Sequence, residues 1–258
     1  DSKPRNVLEL CRGFDDMYDV IPIKGQSYRV NSKHILSLKC TGYNSYKKGD
    51  LIDIPVDEYL KKSKTFRTRY KGYRTTAEFS DKEVNFDPYM LGYWLGDGTT
   101  GHAQITTIEK EVIAYYDCVL DKYNLELSSC GEYGHNIVCK GEDYHKRGRN
   151  FFMKFLRDEE LMKRKFVPQH YKCTSKEKRL ELLAGYIDAD GHYDKHGLAY
   201  DLISKSETLL DDMIFIARSL GFSAYKKKCK KSCMYNGKKV TGTYYRCFVS
   251  GEGIEKIP

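Results

Sequence analysis

A short apolar pattern that ends in Asp-Gly occurs twice in this chain. It reads LGYWLGDG at residues 91–98 and LAGYIDADG at residues 183–191. Small residues lie four positions apart in each copy, so on a helix they share one face, where a second backbone can approach closely. We therefore expect two helices that pack against each other through these faces and bring Asp97 and Asp190 together at their C-terminal ends.

This arrangement is electrostatically unfavourable without a cation. Two ionised carboxylates about 5 Å apart repel by about 3 kcal/mol at an effective dielectric constant near 20, and both would lie at the negative ends of helix dipoles. Divalent Mg²⁺ reverses the effect, because it takes carboxylate, carbonyl and water oxygens as ligands. Such sites hydrolyse phosphodiesters. The pattern therefore predicts a nuclease with Asp97 and Asp190 as metal ligands and Mg²⁺ or Mn²⁺ as cofactor.

Three other interpretations of these residues fit less well. A Walker-type phosphate-binding loop needs a lysine where Asp97 stands. An EF-hand beginning at Asp188 would have Tyr193 in place of its glycine and Ala199 in place of its final glutamate. Turn formation explains a single Asp-Gly, but its recurrence in the same register calls for a second reason.

The segments after both copies repeat a helix, strand, strand, helix order. Asp87 and Pro88 form an N-cap and first-turn pair before the first helix, and Ser175 lies at the start of the second. The repeat predicts an α+β fold with two αββαββα-type halves, at about 85–174 and 175–258, related by a pseudo-two-fold axis. We expect a monomer, because the internal duplication replaces a second subunit.

The residues before this duplicated domain have another character. In residues 1–40, the runs NVLELCRG, MYDVIPI, SYRV and ILSL are short and separated by turn residues, which predicts a β-rich region. Residues 41–84 are interpreted as a basic linker that includes a short helix at IPVDEYLKKS. Near the other end, Asn236-Gly237 predicts the turn of a hairpin.

The charge of the chain indicates a polyanionic partner. Lys and Arg number 44 against 36 Asp and Glu, a net charge of +8. Two basic runs are candidates for contact with DNA phosphates and base edges, although such runs are often only solvated faces. The first, here called the basic limb, comprises Lys61, Lys62, Lys64, Arg67, Arg69, Lys71 and Arg74. The second, here called the strand lysines, comprises Lys226, Lys227 and Lys228.

Cysteine content and hydropathy indicate the compartment in which the protein is expected to act. Nine irregularly spaced cysteines predict a reducing, intracellular protein that is not secreted. No run approaches the roughly 18 apolar residues of a membrane span, so no membrane association is expected. Cys229 and Cys233 with His192 and His196 offer an alternative zinc site, but this spacing lacks the second close pair that zinc sites usually have.

The two patterns resemble the LAGLIDADG homing endonucleases. LLAGYIDADG nearly spells the family motif, MLGYWLGDG is similar to a degenerate first copy, and ARSLGF at residues 217–222 is similar to the helix that follows the second motif. The N-terminal region resembles the splicing (Hint) domain of inteins, whose T-x-x-H block would correspond to Asn31 through His34. The resemblance is therefore to an intein-encoded endonuclease of the vacuolar-ATPase intein type.

This resemblance implies site-specific cleavage of both strands of a long double-stranded DNA target with divalent metal ions. Asp97 and Asp190 would each serve one strand. Lys165 would polarise the attacking water or the phosphate, and Lys256 is the candidate for the corresponding lysine of the second half. The protein would act wherever the host gene's DNA lies, in nucleus or cytoplasm.

The splicing segments are incomplete by the same comparison. An N-terminal Cys or Ser nucleophile and a C-terminal His-Asn pair are both missing from the given sequence, so this chain is not expected to splice. Asn31 and His34 would be vestigial, or would await missing segments, and a host protein would be a partner only in a complete intein. The alternatives are a catalytically inactive intein remnant and an RNA maturase-like nucleic-acid-binding protein.

Overall fold

The structure, a computed structural model, describes residues 5–141, 149–235 and 238–258, except the side chains of Cys233, Tyr235 and Lys238. The chain folds as two compact units. The N-terminal unit lies within residues 3–75, and the C-terminal unit begins at Thr76 and runs to Pro258. Each unit has its own cluster of buried apolar side chains.

Short strands and two short helices build the N-terminal unit. The elements are β1 (Met17–Val20), β2 (Tyr28–Asn31), β3 (Ile35–Cys40), β4 (Leu51–Pro55), α1 (Val56–Lys61), α2 (Lys64–Arg69) and β5 (Tyr70–Lys71). Strands β1 and β2 pair with each other, and the next three strands form an antiparallel sheet in the order β4-β3-β5. Alternate residues of β3, from Leu36 to Cys40, face the core, as a half-buried strand requires.

Two expectations for this region differ from the structure. The run at residues 6–13 forms no strand, and Leu8 is 95% exposed there, because no neighbouring strand among the described residues pairs with it. The expected division at residue 40 also does not coincide with the end of the compact unit. Cys40 shares a buried cluster with Val56 and Tyr70, so most of the predicted linker packs with the β-rich region.

The C-terminal unit repeats helices and antiparallel strands as predicted. The elements are α3 (Pro88–Asp97), β6 (Gln104–Thr106), α4 (Lys110–Leu120), β7 (Leu125–Cys130), β8 (Gly134–Cys139), α5 (Phe151–Asp158), α6 (Gln169–Lys172), α7 (Lys176–Asp190), β9 (Gly191–Asp194), β10 (Ala199–Ser204), α8 (Glu207–Ser219), β11 (Ser223–Tyr235) and β12 (Lys238–Ser250). The strands form two sheets, in the orders β6-β8-β7 and β11-β12-β10-β9. Short 3-10 helices follow α4 and β12.

Helices α3 and α7 form the centre of this unit. The Asp87 carboxylate caps α3 by accepting a hydrogen bond from the backbone N–H of Met90 (3.0 Å), and Ser175 caps α7 in the same way. Leu91 and Trp94 of α3 and Leu183 of α7 are fully buried. A helix with apolar side chains on most of its circumference belongs in a core. The caps and the apolar runs therefore place the two motif helices together in the interior.

Strands β11 and β12 are 13 residues each and pair along their whole length, from Ser223 opposite Ser250 to Tyr235 opposite Lys238. This confirms the predicted hairpin arms, whereas the proposed turn at Asn236-Gly237 lies outside the described residues. Elsewhere, none of the helices that the structure describes is long and apolar enough to cross a membrane. The eight cysteines with described side chains are free thiols.

Candidate active site

The motif helices approach each other so closely that glycine is required at their contact. A methyl group on Gly92 would overlap the carbonyl oxygen of Leu182, and one on Gly185 would overlap the carbonyl oxygen of Tyr89. The two contacts are reciprocal, as expected for halves related by a pseudo-two-fold axis. This close packing brings the C-terminal ends of α3 and α7 to the same place.

Asp97 and Asp190 lie at those two ends, and their surroundings raise the pKa of both carboxyl groups. Partial burial, together with the charge of Asp190, raises the pKa of Asp97 to about 6. Removal of water by the surrounding protein also raises the pKa of Asp190, although the ammonium of Lys165 opposes this shift. The fold thus brings together the two carboxylates that the sequence predicts as a pair.

Lys165 extends from the segment between α5 and α6 to the place where the C-terminal ends of α3 and α7 meet, here called the seam. Its ammonium donates hydrogen bonds to the backbone carbonyls of Gly96 (2.9 Å) and Gly98 (2.6 Å) and lies 5.2 Å from the centre of the Trp94 ring. Burial lowers the pKa of Lys165 to about 8, and the charges of Asp190 and Asp97 oppose that shift. Its proximity to both acids matches the predicted position, while its catalytic role stays a prediction.

The donors at the seam suit a hard divalent cation. Neither Asp97 nor Asp190 forms an ion pair within 4.0 Å in the described part of the chain, and the last turn of α7 adds neutral carbonyl oxygens. No group of three or more His, Cys, Asp and Glu residues suited to a metal was found among the described residues. Two carboxylates with carbonyls and water are oxygen ligands that Mg²⁺ prefers, so the residues fit the expected ion.

Three further side chains of the motif helices were not predicted as site residues from the sequence. Tyr93 and Tyr186 stand four residues before Asp97 and Asp190, on the same helix faces. Burial raises the pKa of both tyrosines, and the charge of the following acid adds to each shift. That shared spacing could have revealed them. Asp188 accepts a 2.7 Å hydrogen bond from the hydroxyl of Tyr89 on the partner helix. It thereby links α7 to α3, away from the paired carboxylates.

Other predicted residues lie elsewhere. Lys256 follows the last strand in a short 3-10 helix, and no charge interaction links it to either acid in the described structure. Asn31 and His34 occupy the ends of a β-turn between β2 and β3, closed by a 3.2 Å hydrogen bond from the His34 N–H to the Asn31 carbonyl. Both are exposed there. Their splicing role stays a prediction.

The basic limb lies mostly on the surface of the N-terminal unit, on α1, α2 and β5. Arg69 stacks on Tyr43 at 4.2 Å, and Lys62 lies 5.7 Å from the centre of the Phe66 ring. The exposed members are Lys61, Lys62, Lys64, Arg67 and Arg74. Together, aromatic contacts and open ammonium groups give this surface the chemistry of a phosphate-contacting face.

One cavity of about 530 Å³ in this unit is lined by Lys39, Lys48 and Lys71. Lys39 lies directly opposite Lys71 on the neighbouring strand, and like charges at that position destabilise a sheet. Among the residues that the structure describes, no carboxylate lies within 4.0 Å of any of the three ammonium groups. The cavity thus extends the positive surface of the limb.

The strand lysines do not share one environment. Lys226 is on the same face of β11 as the buried Ala224, and its ammonium binds Glu207 (2.6 Å) and Asp211 (2.8 Å) on α8. Its positive charge is neutralised there, so the placement argues against the predicted DNA contact. Lys227 points to the opposite face, because side chains alternate along a strand. Lys228 shares the face of Lys226 and forms no ion pair within 4.0 Å among the described residues, although its charge helps to lower the pKa of Glu207 after the larger effect of Lys226.

Fold and site together define a class: a duplicated α+β domain with one carboxylate from each half at the helix seam. Residues 166–256 match the family described as homing endonuclease, which is less than half of the chain. The chain is 27% identical over 190 residues to the homothallic switching endonuclease of Saccharomyces cerevisiae, covering 63% of this chain and 32% of that protein. These two findings support a homing endonuclease.

A second curated relative is the replicative DNA helicase DnaB of Mycobacterium intracellulare, 30% identical over 145 residues that cover 56% of this chain and 21% of that protein. The chain therefore spans less than a third of the length of either relative. Among solved structures, the chain is similar to mesophilic variants of the homing endonuclease I-DmoI (TM-score 0.42, 14% identity, 66% of this chain, 91% of that chain) and to I-DmoI in complex with DNA and Mn (TM-score 0.41). At these scores the likeness carries no further argument.

Proposed function

We propose that this protein is a site-specific DNA endonuclease that hydrolyses both strands of a long double-stranded target with Mg²⁺ or Mn²⁺. The observation that carries the proposal is the meeting of Asp97, Asp190 and Lys165 at the seam of two duplicated halves. Two acids that repel each other at helix C-termini gain nothing structural from that position. The family match over residues 166–256 supports the same activity.

The residues divide the chemistry between them. Asp97 and Asp190 would hold the divalent ion, with the Ala189 carbonyl at the end of α7 as a further oxygen donor. When bound, that ion lowers the pKa of a coordinated water and stabilises negative charge on the phosphate. The ammonium of Lys165, directed into the seam by the Gly96 and Gly98 carbonyls, would stabilise charge on the attacked phosphate. Each half contributes one acid, so each would serve one strand.

DNA would be held by basic surfaces in both units. The accessible members of the basic limb and Lys227 on the open face of its sheet support this part of the proposal. Phosphate contacts of this kind position a protein on a duplex without reading its sequence. The protein would act as a monomer, inside the cell, where the target DNA lies.

We further propose that the endonuclease belongs to an intein. The similarity of the first forty residues to a splicing domain supports this origin. A match to only 21% of a replicative helicase is also what an element inserted in a host protein would produce. Sequencing the gene on both sides of this segment tests the point: host-protein codons on each side support it, and their absence contradicts it.

Cleavage is tested by incubating the purified chain with a fragment library of the source genome and Mg²⁺, then sequencing the new ends. We expect a small set of double-strand breaks that is lost with EDTA. Asp97→Asn and Asp190→Asn are each expected to abolish double-strand cutting, whereas the exposed Asp117→Asn serves as the matched control. If the parent binds DNA but cuts none, the protein is the inactive binding remnant instead.

A further inference from the structure

We infer that Asp212 is a positioning residue that holds the catalytic-site lysine, Lys165, in the seam. This inference rests on the proposed function only for its consequence in catalysis, since the contacts themselves are independent of it. Asp212 lies on α8, in the C-terminal half of the unit, and its side chain is 11% exposed. A carboxylate so deeply buried needs partners that compensate for its lost hydration.

Both oxygens of the Asp212 carboxylate bind the segment that carries Lys165. Oδ2 accepts a 2.8 Å hydrogen bond from the backbone N–H of Val167, and Oδ1 accepts a 2.7 Å hydrogen bond from the ammonium of Lys172 on α6. The two contacts lie on either side of Pro168. Asp212 therefore fixes this segment at two points, one of them only two residues beyond Lys165.

The side chains of Val167 and Pro168 are buried, but the backbone N–H groups of the segment have few partners among the described residues. Residues 164–168 belong to no helix or strand, and of the four backbone N–H groups that they carry, that of Val167 is the one with a hydrogen bond within the described structure. Val167 is buried and precedes a proline, which restricts it to extended conformations. In extended chain, side chains two positions apart share a face, so anchoring Val167 also directs Lys165.

The other end of the segment depends on this anchor. The Lys165 ammonium must reach the carbonyls of Gly96 and Gly98 at 2.9 and 2.6 Å, and partial burial makes its position costly without them. A displacement of about 1 Å at a catalytic group can lower a rate by about 100-fold. Among the described residues, Asp212 forms no hydrogen bond or ion pair with either acid; it acts through Lys165.

The first test measures the position of Lys165 without any cleavage. The full chain is labelled with a small amine-acetylating reagent, and acetylation of Lys165 is followed by mass spectrometry. We expect Asp212→Leu to accelerate labelling of Lys165 at least several-fold and to increase hydrogen exchange at Val167. Asp212→Asn keeps an oxygen acceptor for the Val167 N–H and should label at the parent's rate. Unchanged labelling in Asp212→Leu overturns the inference.

The second test separates positioning from stability. Asp212→Leu should lower kcat by roughly 10- to 100-fold with little change in the Kd for target DNA. In a Lys165→Met background the same substitution should change kcat by less than about threefold, because there is no ammonium left to position. An equal loss in both backgrounds means that Asp212 has only a structural role.

Lys172→Met is the matched control, because it removes the ion pair and leaves the bond to Val167 intact. It should lower thermal stability but keep kcat and the slow labelling of Lys165. If Asp212→Leu fails to fold, Asp212→Ser takes its place, because its shorter side chain does not reach the Val167 N–H; it should label Lys165 faster than Lys172→Met does, and equal labelling in these two variants overturns the inference. Should the parent cut no DNA, the proposed function fails while the labelling result stands by itself.

Discussion

At the residue scale, the site is a compromise between stability and chemistry. Asp97 is held beside Asp190 and partly away from water, so its charged form is disfavoured, and its pKa rises from 3.8 to about 6. Lys165 is also partly desolvated, and its pKa falls to about 8. Shifts of opposite sign in adjacent groups are frequent at functional sites.

The shift of Asp97 makes folding stability depend on pH. Below pH 3.8 the carboxyl is protonated in both states and costs nothing; the penalty grows as pH rises and is complete above about pH 6. In EDTA at pH 7.5, Asp97→Asn should therefore raise the free energy of unfolding by about 1 to 2 kcal/mol, after allowance for solvent screening. Urea titrations at pH 7.5 and pH 3.5 measure this, and the gain should vanish at the lower pH. Asp117→Asn should show no such difference.

Lys165 should matter for rate and not for folding. Lys165→Met removes a desolvated charge and keeps most of the side-chain volume, so we expect unchanged or slightly higher stability. The kcat for cleavage should fall about 100-fold or more, because the charge near the phosphate is lost. Single-turnover cleavage of target DNA measures the effect, with Lys163→Met, an exposed neighbour, as control. A parent-like rate in Lys165→Met would remove this residue from the mechanism.

At the element scale, two features decide what the structure can do: the packed pair α3 and α7, and the long hairpin. The helices meet through glycines whose positions any methyl group would overfill. The hairpin presents one face to α8 and the other to the open side of its sheet, so consecutive lysines differ in environment.

The close packing of α3 against α7 predicts that a larger side chain at their contact lowers the free energy of unfolding. Gly185→Ala places a methyl group against the Tyr89 carbonyl and the backbone nitrogen of Tyr93 at 2.9 Å, so the helices must separate. We expect the C-terminal unit to lose about 1 to 3 kcal/mol in free energy of unfolding. Gly72→Ala, where no atom lies within 4 Å, is the control. Equal stabilities in chemical denaturation would contradict the close contact.

The hairpin predicts different effects for neighbouring lysines. Lys227→Ala should reduce the slope of log affinity against log salt by about 1, because one phosphate contact is lost. Lys226→Ala should leave that slope unchanged, because Glu207 and Asp211 already bind its ammonium, and should lower stability by less than about 1 kcal/mol. Fluorescence anisotropy with target DNA at several salt concentrations compares them. The reverse order would show that the open face is not the DNA face.

At the scale of the whole molecule, the chain consists of two units with separate cores. Buried apolar residues of the N-terminal unit cluster around Leu36 and Tyr70, and those of the C-terminal unit around the motif helices. A unit with its own core can fold by itself. The paired acids and Lys165 all belong to the C-terminal unit.

This division predicts that residues 76–258 fold without the rest. Expressed alone, they should unfold cooperatively in calorimetry, at a temperature close to that of one of two transitions in the full chain. Far-UV circular dichroism should show retained helix. A chain that stays unfolded, or a single transition in the full protein, would show that the two cores depend on each other.

The sequence alone determined the centre of this protein. Asp87 and Ser175 marked the helix starts, because cap preferences are local, and the four-residue spacing of small side chains marked the contact face. The recurrence of Asp-Gly in the same register predicted that Asp97 and Asp190 form a pair. These features depend on interactions within one helix or between two copies of one pattern, and such patterns can be recognised in the amino-acid sequence.

Only the tertiary structure decided the rest. It showed that residues 6–13 form no strand, that residues 41–75 join the first core, and that Lys226 is neutralised by α8. It also supplied Asp212 as the anchor of the segment carrying Lys165. Each outcome depends on partners far away in sequence: a strand needs a neighbour, a core needs several elements, and a buried charge needs a counter-charge that folding alone brings within reach.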